Sequence, residues 1–310
     1  MATKIKVIGV GGSGGNAVSR MTSCKIQGID LIAINTDAQD LLKCKASQKI
    51  RIGRILTKGL GTGMNPEIGR LAAEENKGEI EEVLKGADMV FIACGLGGGT
   101  GSGAAPVIAE IAKNKGILTV AVVTKPFSFE GSQRAKVAKD ALEQLKSRVD
   151  TLLVISNDKI LSLIDNNATV VSALWSCDEV LRQAVQGISD LISVPGIINV
   201  DYADIKSIMR DAGIAIFGVG QAEGEQNVEN AVKMAINSPL LNIPIEGAKG
   251  ILFNISGGDD LSLSQIDEAA KIITQNISKE AKVIFGATKD KSLKKGEVKV
   301  TVLATGFATL

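Results

Sequence analysis

Through the first half of the chain, short runs of β-branched and aliphatic residues alternate with longer stretches of helical period. Segments 4–8, 30–35, 89–94, 117–124 and 151–155 read as strands. Segments 16–24, 66–76, 102–115 and 132–147 between them read as helices. Strands that are apolar almost throughout are buried on both faces, so the pattern predicts a parallel sheet covered by helices, with connections long enough for right-handed crossovers. From 169 to 194, Val180, Leu181, Ala184, Val185, Ile188, Leu191 and Ile192 recur every three or four residues. That spacing predicts one long amphipathic helix ending before Pro195 and Gly196. Beyond it, strand-like 214–219, 251–255, 283–285 and 298–304 mix with helical 228–236 and 264–277, a rhythm closer to a small mixed sheet with helices on one face.

Two glycine-rich segments each follow a predicted strand and lead into a helix. In the first, Gly9-Val-Gly-Gly-Ser-Gly-Gly-Asn16, backbone N–H groups and a helix N-terminus can point at a phosphate. Taken alone it fits a dinucleotide-binding turn or a tight strand-to-helix connection equally well. The second, Gly95-Leu-Gly-Gly-Gly-Thr-Gly-Ser-Gly103, changes the odds. Glycine is costly to order, so six in nine positions point to backbone approaching a polyphosphate rather than to packing. The chain has no Gly-Lys dipeptide, and so lacks the lysine loop by which many nucleotide hydrolases neutralise phosphates. A triphosphate held here would rely on amide dipoles, helix ends and a metal ion, with Mg2+ held mainly by phosphates and water.

Composition narrows the chemistry further. The 310 residues are 45% hydrophobic and carry a net charge of +1. That is enough apolar material for one large core or two moderate ones, with no basic field to attract nucleic acid. No window approaches the roughly 20 apolar residues of a membrane-spanning helix, and the first residues resemble no secretory leader, so the expectation is a cytoplasmic protein without direct membrane insertion. There is no histidine, which excludes a Ser-His-Asp triad, a histidine base and a histidine zinc site. The four cysteines, Cys24, Cys44, Cys94 and Cys177, are widely spaced and read as reduced core thiols.

Segment 97–103, Gly-Gly-Gly-Thr-Gly-Ser-Gly, resembles the signature of the tubulin/FtsZ superfamily. Segments 35–39, 59–69, 124–131, 180–192 and 199–204 resemble FtsZ segments in the same order. The resemblance implies an α/β fold: a Rossmann-like parallel-sheet GTPase domain over 1–168, a long central helix over 169–195, and a smaller mixed-sheet α+β domain over 196–310. It implies GTP or GDP as ligand. Gly11, Gly12, Ser13, Gly14, Gly15, Asn16, Asn35, Gly97, Gly98, Gly99, Thr100 and Gly101 would surround the phosphates, with Glu130 and Arg134 reaching the ribose and neighbouring groups. Asp178 would accept from guanine N1 and N2 hydrogens and Asn157 would help to read the same base; an acceptor carboxylate suits guanine because the adenine edge would leave a buried charge unpaired. Where the family often has a phenylalanine against the base, this chain has Leu174 with Trp175 beside it, and either could pack there. Ser13 replaces a glycine common in the first segment.

The resemblance also implies that hydrolysis is completed between subunits. Asn199, Asp201 and Asp204 of one copy would orient water over the nucleotide of the next, in an open head-to-tail filament of the bacterial division ring. From the residues alone, Asp201 and Asp204 could equally be a helix cap and a solvated charge. Division-ring proteins are expected partners, although the linker and docking peptide that the resemblance implies are not among these 310 residues. Two rivals remain: an oxidoreductase using the first glycine segment with Asp30 or Asp37 on a ribose, and a scaffold of the same superfamily that polymerises without turnover.

Overall fold

The computed structural model describes residues 3–24, 28–161, 169–194, 196–238, 245–275, 277–278, 280–290 and 292–307. The chain forms two compact units, Met1–Gln186 and Gly187–Leu310, which divide inside its longest helix.

The first unit is built in chain order from β1 (Ile5–Val10), α1 (Gly11–Ser23), β2 (Ile29–Asn35), α2 (Ala38–Lys43), β3 (Gln48–Arg51), α3 (Arg54–Thr57), α4 (Pro66–Glu75), α5 (Lys77–Leu84) and β4 (Met89–Gly95). It continues with α6 (Gly99–Asn114), β5 (Leu118–Lys125), a 3-10 turn (Ser128–Glu130), α7 (Ser132–Arg148), β6 (Thr151–Ser156), α8 (Asn157–Leu161) and α9 (Val170–Ser193). Its six strands are parallel, in the order β3-β2-β1-β4-β5-β6. β4 and β5 have neighbours on both sides and are buried along nearly their whole length, which is why they read as unbroken apolar runs. Register decides where the connections leave: Val10 pairs with Ile34 and Cys94, Cys94 with Val123, and Val123 with Val154. The carboxyl ends of β1, β4, β5 and β6 are therefore level, and the segments that follow them emerge along one edge, where open α/β sheets bind their ligands.

The two glycine-rich segments are not free loops. α1 begins at Gly11 and α6 at Gly99, so glycines form the first helical turns. Close approach explains two of them. A Cβ on Gly14 would lie 2.3 Å from the Ala93 carbonyl oxygen, and one on Gly103 would lie 1.9 Å from that of Pro66. Glycine at these positions lets α1 lie against the sheet and α6 against α4.

The second unit adds α10 (Tyr202–Met209), β7 (Gly213–Glu223), α11 (Asn227–Ile236), β8 (Gly250–Gly257), α12 (Leu263–Gln275), β9 (Lys282–Lys289) and β10 (Glu297–Thr305). Its strands run β7-β10-β8-β9, antiparallel except for the parallel pair β8/β9, the mixed sheet expected. α11 and α12 supply Val228, Ala231, Val232, Ala235, Ile266, Ala269 and Ile273 to a core completed by Phe253, Ile255, Val300 and Val302.

Long periodic elements match the sequence reading to within a few residues; short ones are additional. β3, α2, α3, α5, α8 and α10 have ten residues or fewer, too few to establish a period. β9 is longer than expected because lysines at both of its ends hide the alternation. Cys44, Cys94 and Cys177 are buried thiols, but Cys24 is exposed at the end of α1, where the helix has already left the core. Pro195 lies outside the described residues.

Candidate functional site

At the carboxyl edge of the first sheet is a cleft of about 440 Å³, within the size class of small-ligand sites. One wall is the start of α1, where Gly11, Gly12, Ser13 and Asn16 line the cleft; the start of α6 forms another through Gly98, Gly99, Thr100 and Gly101. The first N–H groups of a helix have no intrahelical partner and carry the positive end of its dipole. Two such ends on one cleft make a strong cradle for an anion. The Thr100 hydroxyl is 2.7 Å from that of Thr36, which fixes the first turn of α6. A Cβ on Gly99 would lie 2.2 Å from Thr62 Oγ1, so α6 starts where only glycine fits.

Glu130 and Arg134, one turn apart across the start of α7, form an ion pair and both line the cleft. Glu130 Oε1 also accepts from the Phe127 amide at 2.9 Å, which anchors the carboxylate. Among the described residues, Arg134 is the one cationic side chain of the lining, so phosphates would meet mainly amide dipoles.

The far end is suited to a base. Asn157 opens α8; its Oδ1 is buried and has no hydrogen-bond partner, an orphan of the kind that a ligand donor satisfies. Asp178, from α9, is only 8% exposed. Burial pushes its carboxyl up to about 6, against the opposing pull of Arg20 and the Ser13 side chain. A buried acceptor short of donors is matched to a ligand with adjacent N–H groups. Leu174, one turn before Asp178, lines the cleft. Trp175 instead lies over the Arg20 guanidinium, 4.6 Å from ring centroid to Cζ, because a one-residue step turns a helical side chain by about 100°.

Four expected phosphate residues are not in this lining. Gly14 faces the Ala93 carbonyl. The Gly97 amide donates to Ser102 Oγ at 2.9 Å. Gly15 and Asn35 instead line, with Asn16, a smaller recess of about 90 Å³ next to Asp40 and Cys44. Sequence reasoning missed Thr62, Thr124, Pro126 and Cys177, which do line the cleft. The first three lie inside motifs already noted, and Cys177 precedes Asp178, but nothing in residue type marked them. Burial pushes the Cys177 thiol up to about 12, so it stays neutral.

Asn199, Asp201 and Asp204 belong to the second unit. Asn199 and Asp201 are exposed and Asp204 is half-buried. Asn199 Oδ1 accepts from the Gly196 amide at 2.7 Å, and Ile197 and Ile198 donate to the Ala287 carbonyl of β9, which ties this loop down. Asp201 stands at the N-cap of α10, yet its side chain makes no capping hydrogen bond. The carboxylate is thus not consumed in capping.

The dinucleotide alternative fares poorly. Asp37, one of its ribose candidates, caps α2 by accepting from the Gln39 and Asp40 amides at 2.8 and 3.0 Å. The second glycine segment, which that reading leaves idle, lines the same cleft as the first. Among the described residues, no helix is long and apolar enough to cross a membrane.

Comparison with known proteins agrees with this geometry. Residues 4–165 match the Tubulin/FtsZ family, GTPase domain, and residues 213–308 match the FtsZ family, C-terminal domain. A structure described as an empty FtsZ dimer from M. jannaschii is 46% identical, with a TM-score of 0.94 over 99% of this chain and 89% of that one. A mutant FtsZ from the same organism is 47% identical, with a TM-score of 0.94 over 99% and 92%. A GTPγS-bound CetZ2 protofilament from Haloferax volcanii, at 24% identity, has a TM-score of 0.81 over 97% and 92%; at that identity it supports the fold alone.

Proposed function

The chain belongs to the tubulin/FtsZ family and is an FtsZ-like GTPase, and from that premise we propose that it hydrolyses GTP between successive copies of itself in a head-to-tail filament. Guanine sits between Asn157 and Asp178, with Leu174 against its face. The ribose lies by Glu130 and Arg134, and the phosphates by the starts of α1 and α6. Asn16, Gly12 and Gly98 line that end directly, while Gly14, Gly15, Asn35 and Gly97 hold its backbone. Mg2+, carried by phosphate oxygens and water, would supply positive charge that the described lining, with a single arginine, does not. The division of labour follows the sequence boundaries: a nucleotide domain over 1–168, a central helix over 169–195 and a domain over 196–310 bearing the catalytic loop.

Asn199, Asp201 and Asp204 act on the nucleotide of the neighbouring copy. Asp201, exposed and released from capping, orients the attacking water; Asp204 assists, and Asn199 keeps the loop's turn. Catalysis is positional and electrostatic, with no covalent intermediate. A contact that joins unlike faces propagates instead of closing. In the cell we place such filaments in the cytoplasm at the division site, where other division-ring proteins would join them. The FtsZ structures that it resembles come from M. jannaschii, so the proposed division-ring role is not tied to a bacterial cell.

The observation that supports this reading most directly is the meeting, in one cleft, of two glycine-built helix starts with the unpartnered Asn157 oxygen and the Asp178 carboxylate. A mixing experiment tests it. Asp201→Asn should bind GTP normally and hydrolyse it at least ~100-fold more slowly, and Asp178→Asn should bind weakly. Mixed, the two lack each other's defects, and turnover should rise above the sum of the parts. Additive turnover, or a rate per molecule independent of protein concentration, would refute catalysis between copies.

A further inference from the structure

We propose that Arg20, roofed by the indole of Trp175, is the positioning residue that presents Asp178 to the guanine base as a carboxylate, and thereby sets base choice. The inference rests on the reading of Asp178 as the base acceptor and adds to it the group that makes the acceptor work.

The geometry is specific to three side chains. Trp175 and Asp178 are three residues apart on α9, hence on neighbouring strips of one helix face, and Arg20 of α1 reaches both. Its Nη2 lies 3.6 Å from Asp178 Oδ2, longer than the 2.7–2.9 Å of a charge-assisted hydrogen bond. The pair is attracted without being locked, so the carboxylate lone pairs stay open to a ligand. Trp175 holds the guanidinium from its other side at 4.6 Å while remaining 53% exposed. Arg20 Nε is buried without a hydrogen-bond partner. No protein acceptor is spending that arginine on structure through Nε, so stacking and charge are what hold it beside Asp178.

The other groups around Asp178 do not replace it. From α1, Ser13 offers a hydroxyl. On α9, Cys177 is a neutral thiol, and Glu179 is bound to Arg182 and Gln183. Glu130 from the 3-10 turn is neutralised by Arg134 of α7, and Asn157 of α8 is uncharged. Burial favours the protonated acid, and Arg20 is the charge that opposes it. Without Arg20 the acid would keep its proton at higher pH. A protonated carboxyl presents one acceptor and one donor, so it can satisfy guanine N1–H or N2–H, not both.

Calorimetric titration of the full chain with GDP and with inosine diphosphate, from pH 5 to 8.5, tests this. Asp178→Asn measured in parallel subtracts ionisation of the nucleotide itself. Relative to that variant, the wild-type affinity for GDP should fall about tenfold per pH unit below about 6. Arg20→Met should move that break up by at least one pH unit, return to near wild-type affinity at pH 8.5, and lose the preference for GDP over inosine diphosphate at pH 6.5. Arg20→Lys should hold the break near its wild-type position, and Trp175→Leu should move it in the direction of Arg20→Met by a smaller amount. A break that stays in place in Arg20→Met, or an affinity lowered equally at every pH, overturns the proposal. A wild type with no break attributable to Asp178 overturns it in a distinguishable way, by removing the base reading on which it stands.

Discussion

Replacing Asp178 by asparagine should make the empty protein more stable and the liganded protein less so. The carboxyl is raised from 3.8 to about 6 by burial, a rise of about two pH units. At about 1.4 kcal/mol for each, ionised Asp178 costs the folded state about 3 kcal/mol once pH exceeds both values. The sign follows from linkage. A group whose folded pKa is raised contributes stability that is fully present below the unfolded value and is lost as pH rises through the folded one. Asparagine, which does not titrate, keeps the shape and escapes that loss. The opposing pull of Arg20 is already contained in that rise, so the expectation at pH 7.5 is about 2–3 kcal/mol in favour of the variant.

Urea unfolding of the nucleotide-free protein followed by the fluorescence of Trp175, the single tryptophan, reports on the unit in question. The advantage of Asp178→Asn should be small at pH 4 and grow to its full value by pH 7. GDP should reverse the order: at about 1,000 times its Kd it adds about 4.1 kcal/mol to the wild type, and the variant should forfeit most of that. An advantage that does not change with pH, or equal protection of both proteins by GDP, would refute both the burial argument and the base assignment.

Other substitutions separate packing from binding. Gly103→Ala should destabilise by several kcal/mol, read as a lower unfolding midpoint, because its Cβ would lie 1.9 Å from Pro66 O and 2.6 Å from Arg70 N. Gly78→Ala in α5 meets nothing within 4 Å and should stabilise by about 0.5–1 kcal/mol; destabilisation there would count against the helix as described. Asn157→Leu removes the orphan acceptor and should weaken GDP at least ~10-fold, by titration, without lowering the unfolding midpoint. A loss of stability with unchanged affinity would reverse that assignment.

Much of this architecture is local and therefore visible in order along the chain. Strands buried on both faces, such as β4 and β5, announce themselves as apolar runs, and α9 repeats its apolar stripe often enough to fix its period. Asn65 before Pro66 marks the start of α4, where its side chain accepts from the Glu67 amide. β3 and α8 carry no such redundancy. They exist because a neighbouring strand or a buried face holds them, and that information lies elsewhere in the chain.

The site divides in the same way. Glycine density and Thr100 pointed to a phosphate cradle because that signal resides in residue type and spacing, whereas Asp178 and Asn157 were implied only by the family resemblance. Which glycines touch the cleft and which fill a gap against the sheet depends on helix phase: Gly12 opens to the cleft while Gly14 turns to Ala93. The choice between Leu174 and Trp175 is likewise one of rotation around α9. Sequence determined which chemical groups were present and in what order. Only the tertiary structure decided their direction, their burial and the charge standing next to each, because those properties arise from segments far apart in the chain meeting in space.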